Sequence, residues 1–448
     1  MIEVKKITIL LILGSWILTF SLYAQPRLYK WDSPNEEHFL VDSIKISGND
    51  KTEDFIILRE LTFQPGDTVT ESQLKYNSER IFSLNLFTKV EVNRDSINNT
   101  KVNIKVNESW YIYPVPFIDR ADKSNNNYSY GIDLLYKNFR GRNENLRASV
   151  NFGYDPYLFL MFDNPVMFYN DQIGVTFGAS YSNPQNKNIT AKYLNGGDFK
   201  RRVYSAFLSV YKRLNQFNTL SLSGSFDYVK FSTDKYFLGL SASEKTFDRT
   251  FGLTAGYEYD SRDLKQFPQR GIYTGISFTH KGFGIDNTNY NILGVEYKQF
   301  EKIFDGLITR WRVALRHAYG RLVPYYAFSY LGYDENVRGH SDDRREGNNL
   351  IVSSFELSYP VLQEFDFSIK LPLIPRSLTS ARIGIFLTAF TDAGHAFNNN
   401  YHFRIKDFYA GYGGGITFLI LPYNALRLEY AVGDKGQGEL VIGTGFAF

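Results

Sequence analysis

The chain contains no cysteine among its 448 residues, which excludes a disulfide framework, thiolate chemistry and an acylated lipoprotein cysteine. Its formal net charge of +3 is too small to indicate nucleic-acid binding. The six histidines form no close metal-ligand pair, and the sequence has neither a G-x-S-x-G nucleophile elbow nor a phosphate-binding glycine loop. These absences predict a protein that is not an enzyme and has no catalytic residue, metal or cofactor.

The sequence also lacks an apolar run long enough for a membrane-spanning helix. Its longest run, Ile7 to Phe20, is shorter than the ~20 residues that such a helix needs. Lys5 and Lys6 precede this run and Ala24 follows it, so residues 1–24 are predicted to be a secretory signal peptide, with a membrane anchor as the alternative. If the protein is integral to a membrane, it must be a closed β-barrel, because closure satisfies every backbone group in lipid.

Aromatic residues and glycine are abundant, with 33 Tyr, 38 Phe and 35 Gly. This composition suits strands and the aromatic girdles of a membrane barrel. From Tyr111 to Phe448 apolar and polar residues alternate in segments that are separated by Asn, Asp, Gly and Pro; Leu293, Val295 and Tyr297, for example, alternate with polar or small residues. The segments number 16, which predicts an all-β transmembrane barrel of 16 antiparallel strands with short connections.

The last segment, Gly438 to Phe448, carries the clearest barrel pattern. Its large side chains fall on one face and its small ones on the other, as expected of a strand between lipid and a lumen. A terminal aromatic at this phase is the usual bacterial signal for outer-membrane insertion, and glycine weakens a strand. The predicted barrel seam and assembly signal are therefore Gly443, Gly445, Phe446 and Phe448. The alternative is an edge strand of a soluble sandwich.

A small domain of a different kind precedes the barrel. Residues 41–48 alternate as a strand, residues 51–61 have apolar side chains at helical spacing, and Gln64 to Asp67 break the pattern. Thr70, followed by Gln73, matches a capping box and begins a second helix. Two strands follow, which predicts the order β-α-α-β-β.

Several motifs resemble the BamA/TamA outer-membrane assembly superfamily. Residues 336–340 (NVRGH) match the VRG-aromatic tip on the loop after the eleventh strand, with His340 in place of the more common Phe or Tyr. Residues 390–394 (FTDAG) match the FxDxG motif on the thirteenth strand. The segment 259–271, including its nearby carboxylates, resembles the hairpin in the middle of these barrels. The β-α-α-β-β domain resembles a POTRA domain, a module that binds protein strands.

The resemblance implies a chain of the bacterial surface antigen type. It would comprise a signal peptide (1–24), a short amino-terminal segment (25–40), a POTRA domain (41–110) and an outer-membrane β-barrel (111–448). In the family this loop folds back into the lumen. The alternation of the twelfth and thirteenth strands places the carboxylates of Glu356 and Asp392 on the luminal face, where the loop would meet them. A guanidinium between carboxylates forms a strong planar contact. The predicted luminal loop lock is Arg338, Gly339, His340, Asp392, Gly394 and Glu356. The alternative for Arg338 is a solvated position on the loop.

By resemblance, the function is that of an outer-membrane assembly or insertion factor in the bacterial outer membrane, with its POTRA domain in the periplasm. The POTRA domain would bind client chain, and the seam between first and last strands would template insertion through its unpaired edge. Expected partners are outer-membrane lipids and unfolded outer-membrane or secreted client proteins, with periplasmic chaperones or accessory lipoproteins as candidates. The alternatives are a two-partner-secretion-like polypeptide transporter and a structural or pore barrel without client handling.

Overall fold

A computed structural model describes residues 36–122, 127–304, 306–401 and 404–445. The predicted signal peptide lies outside the described residues, as does most of the segment that follows it. So do Phe446 and Phe448, two of the four residues predicted for the seam and assembly signal.

The amino-terminal domain has the predicted β-α-α-β-β order and, in addition, two short strands that the sequence analysis did not predict. It forms around a buried apolar core to which both helices contribute, including Ile56, Ile57, Leu74 and Phe82. Its three-stranded sheet has the order β2-β5-β4, with β2 parallel and β4 antiparallel to β5, and β1 pairs with β3 in a separate ribbon. The elements are β1 (Phe39–Leu40), β2 (Ser43–Ser47), α1 (Asp54–Leu58), β3 (Thr68–Val69), α2 (Glu71–Phe82), β4 (Phe87–Arg94) and β5 (Lys101–Glu108).

Both helices begin near the predicted places, but α1 ends earlier than the sequence pattern predicts. Thr70 caps α2 by accepting a hydrogen bond from the Gln73 amide at 3.2 Å. The Gln73 side chain donates to the hydroxyl of Thr62, also at 3.2 Å, and so joins α2 to the loop before it. Helix α1 is shorter than the predicted 51–61, because residues 60 and 61 continue as turns whose amides bond to the third residue back.

The rest of the chain forms one sheet of 16 antiparallel strands, as predicted, in which neighbours in the sheet follow chain order. The strands are β6 (Ile112–Asp122), β7 (Asn127–Phe139), β8 (Glu144–Gly153), β9 (Tyr157–Phe168), β10 (Ile173–Ser182), β11 (Arg201–Arg213), β12 (Asn218–Phe231), β13 (Phe247–Asp260), β14 (Gly271–Gly282), β15 (Tyr290–Lys302), β16 (Ile308–Gly320), β19 (Asn349–Ser368), β20 (Ser380–Phe397), β21 (Tyr409–Leu421), β22 (Asn424–Gly433) and β23 (Gly438–Thr444).

The connection 321–348 between β16 and β19 is much longer than the short connections that the sequence predicts. It contains the small ribbon β17 (Ser329–Leu331) and β18 (Arg345–Gly347). Two short helices, α3 (Ile189–Asn195) and α4 (Arg376–Thr379), lie in other connections. No helix in the described part of the chain is long and apolar enough to cross a membrane.

Side chains alternate across the barrel wall as the sequence pattern indicates. Leu222 and Phe226 of β12 are exposed on the outside. Asp227 lies inside, where it accepts hydrogen bonds from Ser205 at 2.5 Å and from Lys281 at 2.6 Å. Apolar side chains can face lipid without loss, whereas polar ones need partners or water, so this alternation gives the sheet one lipid-facing surface and one luminal surface.

The amino-terminal domain packs against the mouth of the barrel that holds the short turns. One continuous apolar core joins its residues to Leu264, Phe267 and Phe386 of the barrel. The Tyr76 hydroxyl of α2 donates to the Ser261 carbonyl at 3.2 Å, and the Glu53 amide donates to the Gly141 carbonyl at 2.9 Å. The domain therefore closes this mouth at several places around its rim.

Candidate functional site

The long connection 321–348 enters the barrel between β19 and β22. Its tip approaches the wall very closely, because an added Cβ on Gly411 would lie 1.8 Å from the Arg338 carbonyl oxygen. Gly339 has a φ of +92°, a backbone conformation that favours glycine, and its amide donates to Glu439 at 2.7 Å. Gly394 faces Val337, and a Cβ there would meet the Val337 side chain at 2.8 Å. Glycine at these places lets the tip lie against the wall.

Arg338 is the central cation of this tip. Its Nε and Nη2 donate to the two oxygens of Asp392 at 2.7 and 2.9 Å, which is a bidentate contact. Its Nη1 donates to Glu429 at 3.0 Å and to Glu356 at 3.5 Å. The guanidinium lies 3.5 Å from the ring centre of Phe390. Burial disfavours the charged form, but these carboxylates, Asp392 foremost, raise the pKa of Arg338.

The carboxylates around Arg338 have further cationic partners. Glu356 binds Arg310 at 3.0 Å, and Glu429 lies 3.6 Å from Arg427. Three carboxylates thus share three guanidinium groups inside the barrel. This balance of charge matters because an unpaired charge away from bulk water is strongly unfavourable.

Glu429 and Glu439 are the contributors that the sequence analysis missed. Glu429 lies between Leu428 and Tyr430, both exposed on the outer face, so its inward phase was readable from the alternation of β22. Nothing in the local pattern shows that β22 stands opposite the tip of a loop from the eleventh strand.

His340 lies against the barrel wall on the far side of the tip. Its ring stacks on Tyr409, with 4.5 Å between ring centres and 13° between ring planes. Nδ1 is 2.7 Å from Asp343 and Nε2 is 3.0 Å from Asp434. An aromatic stack and two carboxylates therefore hold the residue that replaces the family's more common Phe or Tyr.

The two ends of the sheet form the second part of the candidate site. Within the described residues β6 and β23 are the outermost strands, and no ladder joins them. The Tyr113 ring lies 6.4 Å from the Tyr423 ring, which places the start of β6 beside the turn between β21 and β22. The two ends thus approach each other, and we call the line between β6 and β23 the seam.

Both strands at the seam have weakened edges. Gly443 faces the lumen beside Arg427, and Gly445 has a φ of +99°. On β6, Pro114 and Pro116 lie within a regular ladder to β7. Proline lacks an N–H and occurs in sheets where its nitrogen faces away from the ladder. The free edge of β6 therefore lacks two hydrogen-bond donors.

The amino-terminal domain docks on the barrel through buried ions as well as apolar contacts. Glu60 binds Arg213 of β11 at 2.6 Å and Arg80 of α2 at 3.0 Å. Burial opposes ionisation, yet these two guanidinium groups hold the pKa of Glu60 at about 2. Asp263 lies in the turn between β13 and β14. Burial raises the pKa of this residue to about 6, although its carboxylate accepts hydrogen bonds from the backbone amides of Leu264, Gln269 and Arg270.

The hairpin 259–271 holds the two nearby carboxylates noted in the sequence. Asp260 forms a bidentate contact with Arg262 at 2.8 and 2.9 Å, and Asp263 accepts the backbone amides of its own turn. Both side chains thus organise the turn on which the amino-terminal domain rests. In the part of the chain that the structure describes, no three His, Asp or Glu side chains are grouped so that they could hold a metal ion.

A 16-stranded antiparallel barrel with an inward loop and a β-α-α-β-β domain at its mouth is an outer-membrane β-barrel preceded by a POTRA domain. Comparison with protein families agrees. Residues 138–448 match the Omp85 superfamily domain, and residues 39–109 match a POTRA family described as a surface antigen variable number repeat. The chain belongs to the Omp85 superfamily.

Solved structures show the same fold at low sequence identity. BamA from Haemophilus ducreyi lacking POTRA domains 1–3 is 18% identical, with a TM-score of 0.53, over 91% of this chain and 83% of that one. CdiB from Escherichia coli is 14% identical, with a TM-score of 0.55, over 90% of this chain and 74% of that one. A search of curated protein sequences gives no match.

Proposed function

We propose that this protein is an outer-membrane assembly or insertion factor of the BamA/TamA type and not an enzyme. Its barrel lies in the bacterial outer membrane and its POTRA domain in the periplasm. The POTRA domain receives an unfolded client chain, and the seam templates a strand of that client. Membership of the Omp85 superfamily and the likeness in fold to BamA support this proposal.

One observation carries the choice of a lateral route: both ends of the lumen are occupied, whereas no ladder joins the described residues of β6 and β23 at the seam. The POTRA domain packs into the periplasmic mouth through the shared apolar core and the ions at Glu60. The loop with Arg338 lies inside the lumen towards the other end. A chain that passed through the lumen would have to displace both, while a strand that entered at the seam would displace neither.

The luminal loop lock has a definite task in this proposal. Arg338 joins carboxylates of β19, β20 and β22, and Glu439 of β23 binds the amide of Gly339. The lock thereby holds together the wall that ends at the seam. Client strands would then meet an edge of fixed shape, because the last strands cannot splay while the loop is in place.

The POTRA sheet offers an edge for the client. Strand β2 lies at one side of the sheet, where β5 is its only neighbour among the described residues, and Lys45 on it is exposed. The opposite edge strand, β4, lies beside the barrel, where Lys89 is 3.6 Å from Asp366. An extended peptide adds most readily to a free edge, so β2 is the strand that would bind client.

Site-specific photocrosslinking in living cells tests the proposal. Probes at Lys45 of β2 and Ile442 of β23 should capture outer-membrane proteins during their assembly, and a probe at the luminal Ser277 should not. Ile97, exposed on the turn between β4 and β5 and not on the free edge of β2, provides the control position. Capture of a secreted chain at Ser277 would identify a transporter. Absence of any client at all the probe positions would identify a structural or pore barrel.

A further inference from the structure

The hairpin between β19 and β20 extends beyond the neighbouring part of the barrel wall. The ladder between β16 and β19 ends at Ile308 and Ser358, whereas β19 continues to Ser368. In this lower part β19 pairs with β20 alone. We call residues 359–387 the periplasmic hairpin; it includes the connection 369–379.

One face of the periplasmic hairpin is polar and already has partners. Glu364 accepts a hydrogen bond from Gln269 at 3.0 Å, and Arg382 binds Glu79 of the POTRA domain at 2.6 Å. Asp366 lies 3.6 Å from Lys89, also of the POTRA domain. This face is therefore accounted for by docking of the POTRA domain.

The other face and the tip are apolar and exposed. Leu373 is fully exposed, and Val361 is 67% exposed. The other large apolar side chains that are exposed between Val361 and Leu378 are Leu362, Phe365, Phe367, Ile369, Leu371, Ile374 and Leu378. A contiguous apolar surface of this kind on a protein marks a contact with a membrane or a partner.

Three features of the hairpin fit a lipid surface. The apolar face continues the outer surface of the same two strands, where Tyr359 and Leu387 are exposed among the lipid-facing residues. Lys370 and Arg376 flank the apolar tip and suit the phosphates of lipid headgroups. The tip contains Pro372 and Pro375, which have no N–H that an apolar environment would leave unpaired.

Part of the backbone at the base of the tip is also paired from within. The Leu378 amide donates to the Pro375 carbonyl, and the Ile369 amide donates to the Thr379 carbonyl. The Tyr423 hydroxyl donates to the Ser377 carbonyl at 2.5 Å. Internal pairing of this kind is what allows irregular backbone to lie against lipid.

We propose that the periplasmic hairpin is an interfacial anchor that inserts its apolar face and tip into the periplasmic leaflet of the outer membrane. Its occupant is the lipid bilayer, and the basic residues at its tip contact lipid phosphates. Tyr423, which bonds to the tip, also contacts Tyr113 at the start of β6, so the anchor reaches the bilayer beside the seam. The inference rests on the outer-membrane location proposed above.

Because the chain has no cysteine, single cysteines can carry a polarity-sensitive dye without background. The full chain with Leu373→Cys is labelled and reconstituted into vesicles of phosphatidylethanolamine and phosphatidylglycerol. Leu222→Cys on the outer wall provides the lipid-facing reference, and Ile97→Cys, at an exposed apolar position of the POTRA domain, provides the aqueous reference. We expect the dye at Leu373 to emit as at Leu222 and to be quenched by lipids with brominated acyl chains.

Emission at Leu373 that matches Ile97 would overturn the proposal, provided that Leu222 reports lipid. Failure at Leu222 as well would overturn the barrel itself and with it the proposed function. A blue shift at Leu373 in native membranes but not in pure lipid vesicles would identify a protein partner and would also overturn the proposal. As a second variant, Lys370→Glu/Arg376→Glu should weaken quenching at Leu373 more in vesicles rich in phosphatidylglycerol than in vesicles without it.

Discussion

Arg338 shows how one side chain can connect three strands. It reaches Asp392 on β20, Glu356 on β19 and Glu429 on β22, while the neighbouring Gly339 amide binds Glu439 on β23. Removal of one member of a buried ion pair is strongly unfavourable because the other charge stays behind without its partner. The geometry of Arg338 also matters, since a lysine cannot form the bidentate contact with Asp392.

The first prediction concerns this contact. Arg338→Ala, Asp392→Ala and Glu356→Ala should each lower the urea midpoint for unfolding of the barrel in detergent, because each leaves a buried charge without a partner; for Glu356→Ala that charge is Arg310. In a double-mutant cycle the Arg338 and Asp392 effects should be non-additive, with a coupling of roughly 0.5–3 kcal/mol. Arg338→Lys should recover only part of the loss.

Arg344 provides the matched control for Arg338. It lies in the same connection and is exposed, and its guanidinium stacks on Tyr333 and not against the carboxylates that bind Arg338. Arg344→Ala should leave the free energy of unfolding within about 0.5 kcal/mol of that of the parent protein, as is usual for surface substitutions. Additive effects of Arg338→Ala and Asp392→Ala on the free energy of unfolding would argue against the luminal loop lock.

The second prediction concerns the pH dependence of POTRA docking. The pKa of Glu60 is held at about 2 in the folded protein, below its ordinary value of 4.5. Its stabilising contribution is therefore fully present above about pH 4.5 and is lost as the pH falls towards 2. The protection factors of the α2 amides, which are corrected for the pH dependence of intrinsic exchange, should fall across this range. Glu60→Gln should remove most of that pH dependence and should lower the protection factors at neutral pH.

Asp263 provides a comparison of opposite sign. Its pKa is raised to about 6, so ionisation of Asp263 opposes docking above that pH and has no effect below its ordinary value of 3.8. Asp263→Asn keeps an oxygen that can accept the backbone amides of the turn. This variant should slow amide exchange at α2 at pH 7. If Glu60→Gln and Asp263→Asn changed exchange in the same direction, the opposite roles of the two carboxylates in docking would be contradicted.

At the scale of elements, the seam differs from the rest of the sheet in the backbone hydrogen bonds between adjacent strands. Within the described residues every other pair of adjacent barrel strands shares a ladder, whereas β6 offers the seam an edge without the N–H groups of Pro114 and Pro116. Gly443 and Gly445 weaken the facing strand. The two features act in the same direction, and both disfavour a closed ladder between β6 and β23.

The third prediction is that restored donors close the seam. Pro114→Val/Pro116→Val returns two N–H groups to the free edge of β6, and each hydrogen bond that forms contributes about 0.5–1.5 kcal/mol. The unboiled form should resist heating better, and the insertion of client barrels by the variant should slow. Pro165→Val, in β9 away from the seam, is the control for loss of a strand proline. Normal insertion by a more heat-resistant variant would show that client strands do not use the seam.

At the scale of the whole molecule, the POTRA domain and the barrel form one packed unit. Ion pairs from Glu60 and Glu79 reach β11 and β20, on different sides of the periplasmic mouth, and an apolar core joins the two parts. Passage of a chain through the lumen would require this whole interface to separate. The seam can open without such a movement.

The fourth prediction concerns assembly and membrane location. The mature chain should fractionate with the outer membrane and migrate faster unboiled than boiled on a detergent gel, because a barrel of many hydrogen-bonded strands unfolds slowly. Phe448→Ala should reduce the assembled amount more than Ala447→Ser, since the predicted phase of the last segment directs Phe448 to lipid and Ala447 to the lumen. A protein that fractionates with soluble periplasmic proteins, or equal yields of the two variants, would contradict this view.

The sequence by itself determined the number of strands, the direction in which each side chain points and the β-α-α-β-β domain. These properties are local: alternation with a period of two specifies the face of a strand, and caps and turn residues mark the ends of elements. The inward phase of Asp392, Glu356 and Glu429 is readable in this way.

The tertiary structure decided which inward residues meet. Alternation gives the face of a strand but not its height on the wall, and height depends on the register of every ladder around the barrel. For this reason the sequence does not show that Glu429 and Glu439 belong to the site. They belong to it because the barrel places β22 and β23 opposite the tip of the loop at Arg338. Docking of the POTRA domain and exposure of the periplasmic hairpin are likewise properties of the assembled molecule, since each depends on surfaces that distant segments bring together.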